Sequence, residues 1–350
     1  MSHSPARSSS SYFSGCFFYG RTDELCLPPV IENSQRILVA GAGGGFDVYA
    51  GLPIYERLRL LGKKVYLANL SYVSLGTTNA HALMRALYAV EPTTNGEDSY
   101  FPERTLAQCL SQRGENVRVY AFEKLGFAPI RDCYGHLVQS LGLDAIVLVD
   151  GGTDILLRGD EAGLGTPSED IASLAAVAAM HVPTRVVVIC VGFGVDSYHG
   201  VCHANWLEKR GSFDRRWGIF RCHCLARAHA RGWLVLDAVN AADMTVRQRP
   251  SIVNGRIVSA IEGHFGDYHR NPRTQSSKLF VNPLMSFLWA FDLAAVAWRN
   301  LYLDCLANTE TQRPLETFIS PLNISVKRCA TVRGKRYRFE SPPASKEFCR

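Results

Sequence analysis

Two runs limit this chain's fold more than any other feature: Ala145–Val149 (AIVLV) and Thr184–Val191 (TRVVVICV). Both are nearly continuous in apolar, mostly β-branched residues, without a polar residue at every second position. A strand with one wet face alternates. One that does not must be covered on both faces, as in a parallel sheet flanked by helices. Between the two runs, Ser168–His181 is alanine-rich, with Ser168 placed to cap a helix. The preceding chain repeats the alternation, with strands at 36–40, 65–70 and 117–121 and helices at about 48–61, 106–113 and 135–141. This order predicts an α/β fold, a doubly wound, mostly parallel Rossmann-like sheet in a three-layer sandwich. Residues 35–320 read as a single α/β domain, between a disordered leader (1–34) and a basic, disordered tail (321–350). Within the domain, Ser286–Leu306 (SFLWAFDLAAVAWRNLYLDCL) reads as an amphipathic helix whose aromatics pack in the core.

Composition narrows the partners. The net charge of +6 is concentrated in Lys209–Arg231 and from Lys327 onward, so the rest of the chain gives no nucleic-acid footprint. No run of 18 apolar residues exists to span a membrane. Eleven cysteines form no spacing framework, and Cys190 sits inside an apolar run, which reads as free thiols in a reducing, cytoplasmic compartment. A small-molecule ligand is the expected partner, and the sequence gives no oligomeric state.

Four glycine-rich segments follow apolar stretches. In an open parallel sheet, ligands bind beyond the carboxyl ends of the strands. The first segment is Gly41-Ala-Gly43-Gly44-Gly45-Phe-Asp47. Its glycines let backbone N–H groups converge on an anion, or form a tight turn with close helix packing. The NAD fingerprint G-x-G-x-x-G is broken at Phe46, and the second strand ends on Asn69 where a ribose-binding acid is expected, so NAD is disfavoured. The second, Asp150-Gly-Gly-Thr-Asp154, runs on to Arg158, Asp160 and Glu161; such carboxylate density suits Mg²⁺, a ribose diol or acid–base work. The third, Gly192-Phe-Gly-Val-Asp196, leads to His199 and His203, one helical turn apart. That spacing admits a metal but fits better a histidine acting as proton partner to Asp196. The fourth, Gly263-His-Phe-Gly-Asp267-Tyr-His269, repeats the pattern.

Taken together, the expectation is a pocket in which Asp150, Asp154, Asp196, His199, His203, Asp267 and His269 do the chemistry. Gly41, Gly43, Gly44, Gly45 and Asp47 would bind a phosphorylated or nucleotide-like metabolite, and a divalent ion such as Mg²⁺ is a candidate cofactor that Asp150 and Asp154 would hold if they are not the acid–base pair. Hydrolysis or group transfer is the expected reaction class. The alternatives are a non-catalytic ligand-binding protein and a structural one.

The segments from AGAGGGFDVYAGLPIYERLRLLGKKVYLANLS through DAIVLVDGGTDILLRGDEAGLGTPSEDIASLAAV and VGFGVDSYHGVCHANWLE to SAIEGHFGDYHRNPRTQSSKLFVNPLMSFLWAFDL resemble an uncharacterised prokaryotic family, domain of unknown function 1152. The resemblance runs from about Arg36 to Ile319 and implies a soluble α/β protein with no established reaction. Residues 209–232 (KRGSFDRRWGIFRCHCLARAHARG) depart from it, because the family has a short helix, a glycine turn and an apolar strand there. Cys222, His223 and Cys224 are too crowded for one zinc to take all three easily. Back-translated with permitted codons and moved by one base, the segment can read as a helix, turn and strand. A compensated frameshift would therefore account for its odd composition, its basic excess and a lost strand.

Overall fold

Along the three central strands, alternate residues serve opposite sides of one sheet, and both sides are buried. Ile37 and Val39, Val65 and Leu67, and Val147 and Val149 enter one core. Leu38 and Ala40, Ala68 and Leu70, and Ile146 and Leu148 enter a second. The first core is closed by the helices Leu52–Leu60, Pro102–Gln112, Gly232–Thr245 and Ile252–Ile261, the second by Phe127–Leu141 and Pro167–Ala178. This explains the missing polar alternation: neither face of these strands meets water. The computed structural model describes residues 25, 27–161, 167–180, 184–214, 219–225, 232–245, 249–301, 303–306 and 309–311.

The strands in chain order are β1 (Arg36–Gly41), β2 (Lys64–Ser71), β3 (His81–Met84), β4 (Leu87–Val90), β5 (Val119–Glu123), β6 (Ala145–Asp150), β7 (Arg185–Cys190), β8 (Ile219–Cys224) and β9 (Phe287–Asp292). They form one nine-stranded sheet in the order β3-β4-β5-β2-β1-β6-β7-β9-β8. The five central strands, β5 to β7, are parallel, and an antiparallel pair extends the sheet at each side. In register, Gly41 lies beside Asn69 and Val149, and Asp150 beside Cys190, so β1, β2, β6 and β7 all end at one edge. From β1 the chain builds outward through β2 and β5, then returns to place β6 on the opposite side. The crevice where the order reverses is where a ligand is expected.

Three expectations need correction. The proposed helix Ser286–Leu306 is a strand, β9, followed by the helix Leu293–Arg299. Asp292 marks the change by accepting the Ala295 N–H at 2.9 Å as the helix cap. Part of the proposed leader is ordered: Leu25, Leu27 and Ile31 are buried in the first core, and Pro29–Glu32 is a helical turn. Residues 1–24 and 26, and the proposed tail 321–350, lie outside the described residues. The segment expected to have lost its strand supplies β8, hydrogen-bonded antiparallel to β9 at the sheet edge. Among the described residues, no helix is long and apolar enough to cross a membrane.

Candidate functional site

Within the protein, the bare backbone of Gly41–Gly45 approaches carboxylates, phenols, the Asn69 amide and the Leu70 carbonyl. A Cβ on Gly43 would lie 2.7 Å from Asp47 Oδ2 and inside contact distance of Asp170 Oδ1. Gly44 and Gly45 take left-handed φ values of 87° and 61°, and a Cβ on either would strike the Leu70 carbonyl or the Tyr100 hydroxyl at 2.8 Å. Two of the amides are already engaged. Gly43 N–H donates to Asp47 Oδ2 at 2.8 Å, and Gly45 N–H to the Leu70 carbonyl at 3.1 Å. The expected anion nest at this turn is thereby corrected, since two of its three donors are spent inside the protein. Asn69, at the end of β2, donates to Gly45 O and to Glu103 Oε1, both at 2.7 Å, and so buttresses the same turn.

Beyond this edge lies a cavity of about 520 Å³. Its floor is acidic: Asp47 from the turn after β1, Asp150 and Asp154 from β6 and the turn after it, Asp196 from the turn after β7, and Asp170 from the first turn of the helix Pro167–Ala178. Backbone donors fix several of these groups. Asp150 accepts the N–H of Gly152 at 2.6 Å and of Ile155 at 3.2 Å, and Asp196 accepts the N–H of Thr153 at 2.7 Å and its hydroxyl at 3.2 Å. Gly152 must be glycine for Asp196 to reach this position, because a Cβ there would sit 2.6 Å from both carboxylate oxygens.

Burial raises the Asp47 carboxyl to about 7, opposed by the Gly43 N–H and reinforced by the charges of Asp154 and Glu169. Burial, reinforced by Asp154 and other neighbouring carboxylates, pushes Asp150, Asp170 and Asp196 well above the usual range. Such a group of acids holds protons or a cation, since like charges this close cannot all ionise unaided. Among the described residues, Asp47, Asp150 and Asp170 each bring one oxygen to within 4.8 Å of the others, the spacing of a candidate metal centre.

The rim carries the opposite sign. Arg249 and Arg273 line the cavity with Ser251, Ile252, Val253 and Asn254 at the start of the helix Ile252–Ile261. Arg273 is tied to this corner by donating to the Pro250 carbonyl at 2.7 Å. Asn254 joins it to the glycine turn, donating to the Phe46 carbonyl at 2.9 Å. Tyr72 and Tyr100 complete the wall, with Tyr72 OH donating to Gly43 O at 2.6 Å.

Of the residues singled out by sequence, Gly43, Gly44, Gly45, Asp47, Asp150, Asp154, Asp196 and His199 meet at this cavity. Gly41 stands behind it as the last residue of β1. Three others do not line it either. His203 packs on Phe193 with ring centroids 5.1 Å apart. Asp267 accepts the Leu279 N–H at 2.8 Å and pairs with His269 at 3.0 Å, while His269 also meets the Thr274 hydroxyl at 3.0 Å. This chain staples the loop after the helix Ile252–Ile261, and its members are satisfied away from the floor. Asp160 pairs with Arg158 at 3.7 Å, and Glu161 accepts the N–H groups of Arg158 and Gly159. Asp170, Arg249 and Arg273 are additions that the sequence reading missed. The sequence carried no distinct signal for Asp170, which shares the first turn of its helix with Glu169.

A profile of the family described as "Protein of unknown function (DUF1152)" matches residues 77–318. The chain belongs to this family. The matched span includes Asp150, Asp154, Asp170, Asp196 and both arginines, while the glycine turn and Asp47 precede it. No curated protein and no solved structure matches the chain.

Proposed function

We propose that this chain is a cytoplasmic small-molecule enzyme on a Rossmann-like, doubly wound three-layer sandwich. Its substrate is an anionic metabolite, phosphorylated or nucleotide-like, and the reaction is hydrolysis or group transfer. The observation that carries this reading is the polarity of one cavity, a carboxylate floor at the strand ends facing a rim of Arg249, Arg273 and a helix start. An anionic group is drawn to the arginines and the positive end of the helix and repelled by the floor. That orients the rest of the molecule over Asp150, Asp154 and Asp196. A volume of about 520 Å³ and walls that include Phe46, Tyr72 and Tyr100 suit a ligand of mononucleotide size. Asp196, held by Thr153, and His199, at the exposed mouth, are the groups placed to move protons between the reacting centre and water. Six described cysteines are free thiols, which supports a reducing compartment.

Thermal denaturation of the full chain with nucleotides, sugar phosphates and other phosphorylated metabolites tests this. At least one compound should raise Tm by several degrees. Arg273→Gln should lose that shift, and Asp196→Asn should keep binding but lose turnover. If no phosphorylated compound shifts Tm, or if Arg273→Gln responds like the wild type, the anionic-substrate reading fails. A wild-type protein that binds but never converts its ligand is a binding protein.

A further inference from the structure

Asp170 is 2% exposed and lies at the cavity floor, and its Oδ1 has no hydrogen-bond partner. A buried carboxylate oxygen without a donor is costly unless something in the cavity meets it. Two other carboxylates converge on it, from separate elements. Asp47 is anchored through Oδ2 on Gly43, and Asp150 is anchored through both oxygens on Gly152 and Ile155. Each oxygen so anchored keeps a further lone pair. The close approach is built in by glycine. A side chain at Gly43 would collide with both Asp47 and Asp170, and one at Gly151 would stand 2.9 Å from Asp47 Oδ1.

The three donor oxygens lie within 4.8 Å of one another. Ligand oxygens about 2.1 Å from an octahedral cation are roughly 3 to 4 Å apart, so a small inward movement brings these three onto one ion. An all-carboxylate donor set, without sulfur or imidazole, selects a hard cation.

We propose that Asp47, Asp150 and Asp170 bind one hard divalent cation, Mg²⁺ or Mn²⁺, with water filling its remaining positions. The ion would neutralise the floor and offer those positions to the anionic group that Arg249 and Arg273 hold from the other side. This bridging role rests on the substrate reading above; the cation site does not.

The test is direct titration of the full, chelator-treated chain with Mn²⁺, followed by electron paramagnetic resonance and calorimetry, with Mg²⁺ as competitor and no substrate present. One Mn²⁺ per chain is expected, displaced by Mg²⁺. Asp170→Asn, close in shape, should weaken Mn²⁺ binding at least 10-fold while its Tm in chelator stays at or above that of the wild type. Asp267→Asn, outside the cavity, should bind as the wild type does. Absence of saturable Mn²⁺ binding, or equal affinity in Asp170→Asn and wild type, overturns the site. Should Asp170→Asn fail to fold, Asp150→Asn and Asp47→Asn carry the same expectation. Arg273→Gln separates the two claims: it should keep Mn²⁺ affinity whether or not any phosphorylated compound binds.

Discussion

Two stretches with nearly the same lettering, Gly192-Phe-Gly-Val-Asp196 and Gly263-His-Phe-Gly-Asp267, end in different places. Both turn through left-handed glycines, at residues 192 and 194 in one and at 263 and 266 in the other. The first leaves β7 at the carboxyl edge of the parallel strands, and its Asp196 is buried on Thr153 at the cavity floor. The second leaves the end of a helix, and the side chain of Asp267 is 44% exposed, held by Leu279 and His269. The glycine and aspartate specify a turn in both cases. Whether that turn becomes part of a site is decided by the element before it and by that element's place in the sheet.

Replacing the glycine that packs on Asp196 and one in the outer loop tests this contrast most severely. Gly152→Ala drives a Cβ into both oxygens of Asp196 and should cost about 2–3 kcal/mol in urea denaturation. Gly266→Ala meets nothing within 4 Å and pays only for its left-handed backbone, about 1 kcal/mol. Equal losses would erase the distinction between a packed floor and an open loop.

A pH profile should show the next largest effect. The Asp47 carboxyl lies at about 7 in the fold against an ordinary 3.8. Between those values the native protein keeps a proton that the unfolded chain has released, so its stability in chelator falls as pH rises from about 4 to 7. The slope for this group approaches about 1.4 kcal/mol per pH unit and levels off above 7. Asp47→Asn should make the slope shallower by that amount, leaving the share of Asp150, Asp170 and Asp196. A slope unchanged in that variant would mean that Asp47 is solvated like the outer loop.

The smallest effect belongs to the staple itself. Asp267→Asn weakens a half-exposed contact with His269 and should cost about 0.5–1 kcal/mol, without altering any ligand-induced rise in Tm. Loss of that rise would place the outer loop in the working site after all.

How much of this could be read from the sequence depended on how local each signal was. The central strands were legible because an unbroken β-branched run has few alternatives, and the ends of β1, β6 and β7 pointed to eight residues that do meet. β9 was taken for the start of an amphipathic helix because its six residues, apolar at nearly every position, have no period of their own and run directly into the helix Leu293–Arg299. The hairpin of β3 and β4 escaped because its connection, Arg85-Ala86, uses Ala86 at a φ of 68° where glycine or asparagine would have announced a turn. Asp170 looked like an ordinary acid in a helix's first turn, a common place for one. Arg249 and Arg273 reach the cavity from segments without a pattern, and only tertiary packing brings them together. The amide nest was misjudged for a related reason: glycine shows that something approaches, but not what.

The family profile begins at residue 77, after β1 and β2. Anyone who expresses only the matched span therefore removes the middle of the sheet. β5 loses its neighbour β2, β6 loses β1, and two half-sheets remain with raw inner margins and no Gly43 or Asp47 between them. Such a fragment should aggregate, and its failure would report on where it was cut rather than on what the intact protein does.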